Sequence, residues 1–96
     1  MNNAQSYRTV DIERRGYGRR YTWLPVDSLS RDGFTIDCTG AYLRPEHFDI
    51  RVGDVVRWRE ADRLLQGSVA EVRRHDLLLE ARVELVELLP PEAFYP

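Results

Sequence analysis

The stretch from Asp49 to Arg74, DIRVGDVVRWREADRLLQGSVAEVRR, restricts the fold more than any other because it reads as two strands and the turn between them. Val52-Gly53-Asp54 is a turn signal, since glycine supplies the positive φ that a tight entry into a strand needs. Val56 and Trp58 then share one face and Val55, Arg57 and Arg59 the other, the period-two pattern of a half-buried strand. Glu60-Ala61-Asp62 turns the chain, which returns through Leu64 to Val72. Around Gly67 the apolar phase shifts, from Leu65 to Val69 and then Val72, which predicts a bulge that bends the returning strand. A bent hairpin of this kind belongs to a small barrel or sandwich.

The remaining segments fit that architecture. Residues 1–6 are polar and read as a flexible arm. Tyr7–Glu13 alternates, with Val10 and Ile12 on one face, and is the expected first strand. Arg14 to Arg20 reads as a loop bent by two glycines. Tyr21–Val26 is a second strand, with Tyr21 and Trp23 on one side and Leu24 and Val26 on the other; Pro25 argues for a sheet edge. Ser28 to Gly33 is a turn, and Phe34–Cys38 a short strand with Phe34, Ile36 and Cys38 inward. Ala41–Asp49 is a connection with one helical turn starting near Pro45.

In Leu77–Leu89 strand and helix compete. Leu77, Leu79, Ala81, Val83 and Leu85 alternate with polar positions, whereas Leu78, Ala81, Leu85 and Leu88 share a helical face. The strand is the reading taken, with a bulge where Val86 breaks phase. Residues 7–89 are thus expected to form a single all-β domain, a six-stranded barrel or sandwich, followed by a tail over 90–96 that presents Phe94 and Tyr95.

Composition narrows the function. All fourteen basic residues are arginine, and the net charge is -2, so a basic nucleic-acid binder is disfavoured. The charge is polarised: residues 7–31 hold six arginines against three acids, and residues 76–96 five acids against one arginine. Unlike ends of this kind suit head-to-tail packing of copies. The single Cys38 excludes an internal disulfide and reads as a buried structural thiol. His47 and His75 have no zinc-site spacing with it, no phosphate loop precedes a helix, and no nucleophile stands with a base. Neither a catalytic nor a cofactor site is therefore expected. No signal peptide or membrane span is visible, which points to the cytoplasm or to a particle assembled there.

The candidate interaction site is the arginine loop: Arg14, Arg15, Tyr17, Arg19 and Arg20, with Trp23 nearby. Arginine, tyrosine and tryptophan dominate binding energy at protein contacts, so protein contact ranks first. A phosphate-bearing ligand ranks second and nucleic acid third, with a solvated hairpin loop as the bland alternative.

Two family resemblances bear on that ranking. Arg15-Gly16-Tyr17-Gly18-Arg19 has the RxxxR form of the PilZ domain, a β-barrel receptor for cyclic di-GMP, and Ser28 to Gly33 looks like that family's second motif with serine at its first position. This resemblance implies that Arg15 and Arg19 clamp phosphates while Ser30 and Gly33 shape the guanine site. The second covers Phe34 to Arg73. A strand, a connection, Val52-Gly53-Asp54-Val55-Val56 and a return to Val69-Ala70-Glu71-Val72 is similar to the small β-barrels that join head and tail in tailed bacteriophages. It implies a virion component at the neck or on the capsid, without catalysis, whose loops and arms pack against copies of itself and other structural proteins.

Overall fold

A computed structural model describes residues 8–90, and in them the chain forms one antiparallel sheet of seven strands. The strands are β1 (Arg8–Arg14), β2 (Gly18–Val26), β3 (Ser28–Ser30), β4 (Gly33–Asp37), β5 (Val55–Glu60), β6 (Arg63–His75) and β7 (Leu78–Leu88). Their order across the sheet is β2-β1-β5-β6-β7-β4-β3. The all-β architecture matches the alternating pattern of the sequence. The expected arm and most of the tail, with Phe94 and Tyr95, lie outside the described residues.

The sheet curls into a half-barrel because its strands bend at bulges. Between Gln66 and Ser68 of β6 the register on β7 runs from Glu87 to Glu84, so β7 carries an extra residue opposite Gly67. A second irregularity lies between Val69 and Glu71. The broken phase near Val86 is therefore present as a bulge of β7, whereas the bulge expected in β6 at Gly67 lies on the facing strand, and the extra residue of β6 itself falls between Val69 and Glu71. The curl brings the two flanks together: Asp27 N–H donates to Thr35 O at 2.8 Å, and the Asp27 carboxylate accepts from Asp37 N–H at 2.6 Å.

Inside the curl lie Val10 and Ile12 of β1, Leu24 and Val26 of β2, and Phe34, Ile36 and Cys38 at β4, along with Val56, Trp58, Leu65, Val69, Leu79, Ala81 and Val83. These are the alternate positions that the sequence marks as apolar, and their burial is the main driving force for the sheet. The competition over Leu77–Leu89 resolves as strand. Leu79, Ala81 and Val83 all point inward between β6 and β4, whereas the helical face would have buried Leu85 and Leu88, which are exposed.

Three local expectations need correction. The strands number seven, because Ser28–Ser30, read as part of a turn, pairs with Gly33–Thr35 and closes its polar face through a 2.6 Å Ser28–Thr35 hydroxyl contact. The arginine segment is not one loop: Arg14 ends β1 and Gly18 to Arg20 already belong to β2, paired by register, so the turn is confined to residues 15–17. Tyr21 and Trp23 do not share a face as ordinary strand neighbours either, because β2 carries an extra residue between Leu24 and Tyr21 and Trp23 adopts φ +56°. Pro25 does sit on an edge strand, as its missing N–H requires.

Gly67 lies where an added Cβ would collide with Val83 Cγ1 and press on Glu84 O. Gly67→Ala should therefore cost about 2 kcal/mol by overpacking, lowering Tm by roughly 10 °C in a chain of this size. A thermal melt followed by circular dichroism checks it; an unchanged Tm would mean that the bend does not depend on this close approach.

Candidate functional site

At the Val55 end of β5 a cluster of charge is built around one carboxylate. Asp54 follows the Val52-Gly53 turn, with Gly53 at φ +96°, and is only 2% exposed although it is an acid. Its backbone is locked to β6: Gly53 N–H donates to Val69 O, and Val69 N–H to Asp54 O, both at 2.8 Å. Arg14, at the end of β1, enters from the side. Its Nε donates to Asp54 Oδ1 at 3.0 Å and its Nη2 to Asp54 Oδ2 at 3.1 Å, while Nη1 and Nη2 reach the Asp49 carboxylate at 2.9 and 3.1 Å. A planar guanidinium can hold two carboxylates in this way, and a lysine could not.

Asp49 collects further partners. Arg20 and Arg51 both pair with its carboxylate, and its own N–H donates to the Tyr21 hydroxyl at 2.9 Å. The hydrogen bond from Arg14 holds the Asp49 carboxyl well below its ordinary range, helped by Arg20, against the opposing effect of desolvation. The connection that carries Asp49 is pinned from the opposite side by Arg74. Its guanidinium donates to the carbonyls of Pro45, Phe48 and Ile50 at 3.1, 2.8 and 3.1 Å. His47, in a 3-10 turn over Pro45–His47, accepts the Arg44 N–H on Nδ1 at 2.9 Å and so ties that turn together.

The six residues of the expected interaction loop therefore divide. Arg14 is an internal tie and Arg20 is engaged with Asp49. The side chains of Arg15, Tyr17, Arg19 and Trp23 are exposed: among the described residues neither Arg15 nor Arg19 has an ion-pair partner, both attracting Glu13 only at longer range, and Tyr17 is 81% exposed. Trp23 is 76% exposed on the outer edge of β2, in a left-handed conformation rare for a bulky side chain, which costs about 1–3 kcal/mol. Its strain is offset by Asp11, whose Oδ1 accepts the Trp23 N–H at 2.8 Å. The local sequence thus presents an indole outward on a bulge that its neighbouring strand holds in place.

Missed by the sequence reading were Asp11, Asp49 and Asp54, the acceptors that decide which arginines are free. Asp54 carried a signal, an acid placed directly before the buried pair Val55-Val56; Asp11 and Asp49 carried none.

The residues of the PilZ pattern are not brought together. Arg15 and Arg19 lie at the Val55 end of β5, whereas Arg31, between Ser30 and Gly33, pairs with Glu60 at the other end at 2.6 Å. The length of β5, about 17 Å at strand rise, separates them. Ser30 and Gly33 instead border a shallow groove of about 450 Å³ with Glu71, Arg73, Glu80 and Arg82. Its charges answer one another, Glu71 taking Arg73 at 2.9 Å and Arg82 at 3.5 Å.

Cys38 is buried, and desolvation raises its thiol pKa, so it is poorly suited to act as a thiolate. Among the described residues no group of three His, Cys, Asp or Glu could hold a metal ion, and no helix is long and apolar enough to cross a membrane. No family model matches the chain, and no curated protein or solved structure matches it either.

Because the folded state lowers the pKa of Asp49, the Asp49 contribution to stability is full above the ordinary aspartate value of 3.8 and is withdrawn as pH falls toward the folded value. Glu13, Glu60 and Glu71, each hydrogen-bonded to an arginine, shift in the same direction. Asp49→Asn should thus lower Tm at neutral pH, and the gap to the unmodified protein should close as pH falls from about 4 to about 2. A constant gap across a pH series of melts would show that the Asp49 charge is not what stabilises the cluster.

Proposed function

We propose that this chain is a non-enzymatic structural or assembly protein that works through protein contacts, and that it is a tailed-phage virion component at the head–tail junction or on the capsid. The observation that carries the reading is the Arg15, Tyr17, Arg19 and Trp23 surface. Two guanidiniums without an ion-pair partner among the described residues and two exposed aromatics stand beside a frame tied by Arg14, Asp49 and Asp54. Those residue types supply most of the energy at protein interfaces when a partner covers them. A solvated hairpin needs neither an indole held at φ +56° nor a carboxylate spent on holding it there.

The net charge of -2 supports a protein partner over a polyanion, because Arg15 and Arg19 are a local positive patch on an acidic chain. The separation of Arg15 and Arg19 from Ser30 and Gly33 weighs against a nucleotide receptor of PilZ type.

Antibody raised against the protein should label particles purified from the source organism by density gradient, with gold at the neck or capsid in electron micrographs. Failure of the protein to sediment with any particle would overturn the virion reading. In parallel, cyclic di-GMP should leave the fluorescence unchanged, with Trp23 exposed as the reporter and Trp58 buried as the internal reference. A saturable response that Arg15→Ala and Arg19→Ala each abolish would establish a nucleotide sensor instead.

A further inference from the structure

Four non-glycine residues have a left-handed backbone: Trp23, Ala61, Asp76 and Leu85. Ala61 and Asp76 occupy the two-residue turns from β5 to β6 and from β6 to β7, where positive φ is the ordinary geometry of a tight hairpin. Trp23 and Leu85 have no such excuse. Both lie inside strands at bulges, both are large and apolar, and they are 76% and 77% exposed.

Both also stand on sheet edges that no described strand covers. Beyond β1, β2 has no neighbour until the chain meets β4 after Val26. β7 is covered by β4 only over Leu78–Arg82, with Val83 N–H donating to Asp32 O, so Glu84–Leu88 has one bare edge. The two edges differ in charge. β2 and its turn carry Arg15 and Arg19; the bare part of β7 carries Glu84 and Glu87 around exposed Leu85 and Leu88.

Charges and bulges on an edge normally repel other strands. Here they exclude like pairings only, since β2 against β2 opposes arginines and β7 against β7 opposes glutamates. An edge built merely for protection would not also expose a tryptophan and two leucines.

We propose that β2 of one copy docks on the bare edge of β7, Glu84–Leu88, in a second copy of this chain. Trp23 covers Leu85 and Leu88, and Arg15 and Arg19 face Glu84 and Glu87. The contact is heterologous, so a docked pair keeps one free edge of each kind and assembly proceeds head to tail, into a ring if the rotation closes and a stack if it does not. This inference rests on the assembly reading and deepens it by naming a second copy as the partner.

Sedimentation velocity over a concentration series tests it with two surface variants, Arg15→Glu with Arg19→Glu, and Glu84→Arg with Glu87→Arg. The unmodified protein should self-associate, more weakly at high salt. Each variant alone should be monomeric. Their equimolar mixture should associate again, since native β2 meets native β7 and reversed β2 meets reversed β7 at alternating junctions, and all four substitutions in one chain should restore association for the same reason. Leu85→Gly suits the left-handed backbone and removes the side chain, so it should keep the Tm of the unmodified protein while weakening association roughly tenfold or more.

A protein that stays monomeric at every concentration overturns the edge pairing and leaves the virion reading standing, because that reading is tested on particles. Association lost in the arginine variant but intact in the glutamate variant overturns the β7 edge as the partner and keeps the arginine surface.

Discussion

The fork of Arg14 between Asp49 and Asp54 is the interaction on which the rest of the structure depends. A carboxylate buried as deeply as that of Asp54 needs a charged partner and filled lone pairs, and Arg14 supplies both while the Arg51 N–H takes a third contact at 2.9 Å. The same guanidinium reaches Asp49, so one side chain from the end of β1 fastens both ends of the segment that enters β5. Removing Arg14 would leave a buried negative charge beside the first turn of the central hairpin. Its pairing is therefore a condition for closing the β1–β5 side of the sheet.

That division of labour sorts the arginines, which are the chain's sole basic residues, into ties and exposed side chains. Arg14, Arg57 and Arg74 each reach two or more acceptors: two carboxylates of the connection before β5 for Arg14, Glu13 of β1 and Gln66 of β6 for Arg57, and three carbonyls of the same connection for Arg74. The planar fork suits these ties, which a single ammonium could not make in the same geometry. Among the described residues Arg15 and Arg19 make no ion-pair contact of this kind, and they act on Glu13 of the network only through longer-range attraction. Their freedom is a result of which acids the fold brings near their neighbours, not of their own position in the chain.

Strain is concentrated where pairing stops. The turns at Ala61 and Asp76 use left-handed backbone to reverse direction, a purely structural use. Trp23 and Leu85 use it to turn large apolar side chains away from the core at the two bare edges. Asp11 secures the first of these, and the extra residue opposite Gly67 generates the second. The bulges that curl the sheet into a half-barrel thus also set the shape of the edges that no described strand pairs.

Period-two alternation around Val10, Ile36, Val56 and Leu79 determined the all-β class, the inward faces and the bulge near Val86, because each needs only neighbours a few residues apart. Pro25 likewise announced its edge strand through a missing donor. What tertiary structure decided were the questions of partnership: whether Leu85 and Leu88 face the core or solvent, whether Ser28–Ser30 pairs, and which arginines are free. Arg14 and Arg15 are adjacent and chemically identical, and only the arrival of Asp49 and Asp54 from about forty residues away separates a half-buried tie from an exposed side chain. Such a distinction depends on long-range Coulomb and hydrogen-bond partners brought together by folding, which a local pattern of residues does not encode.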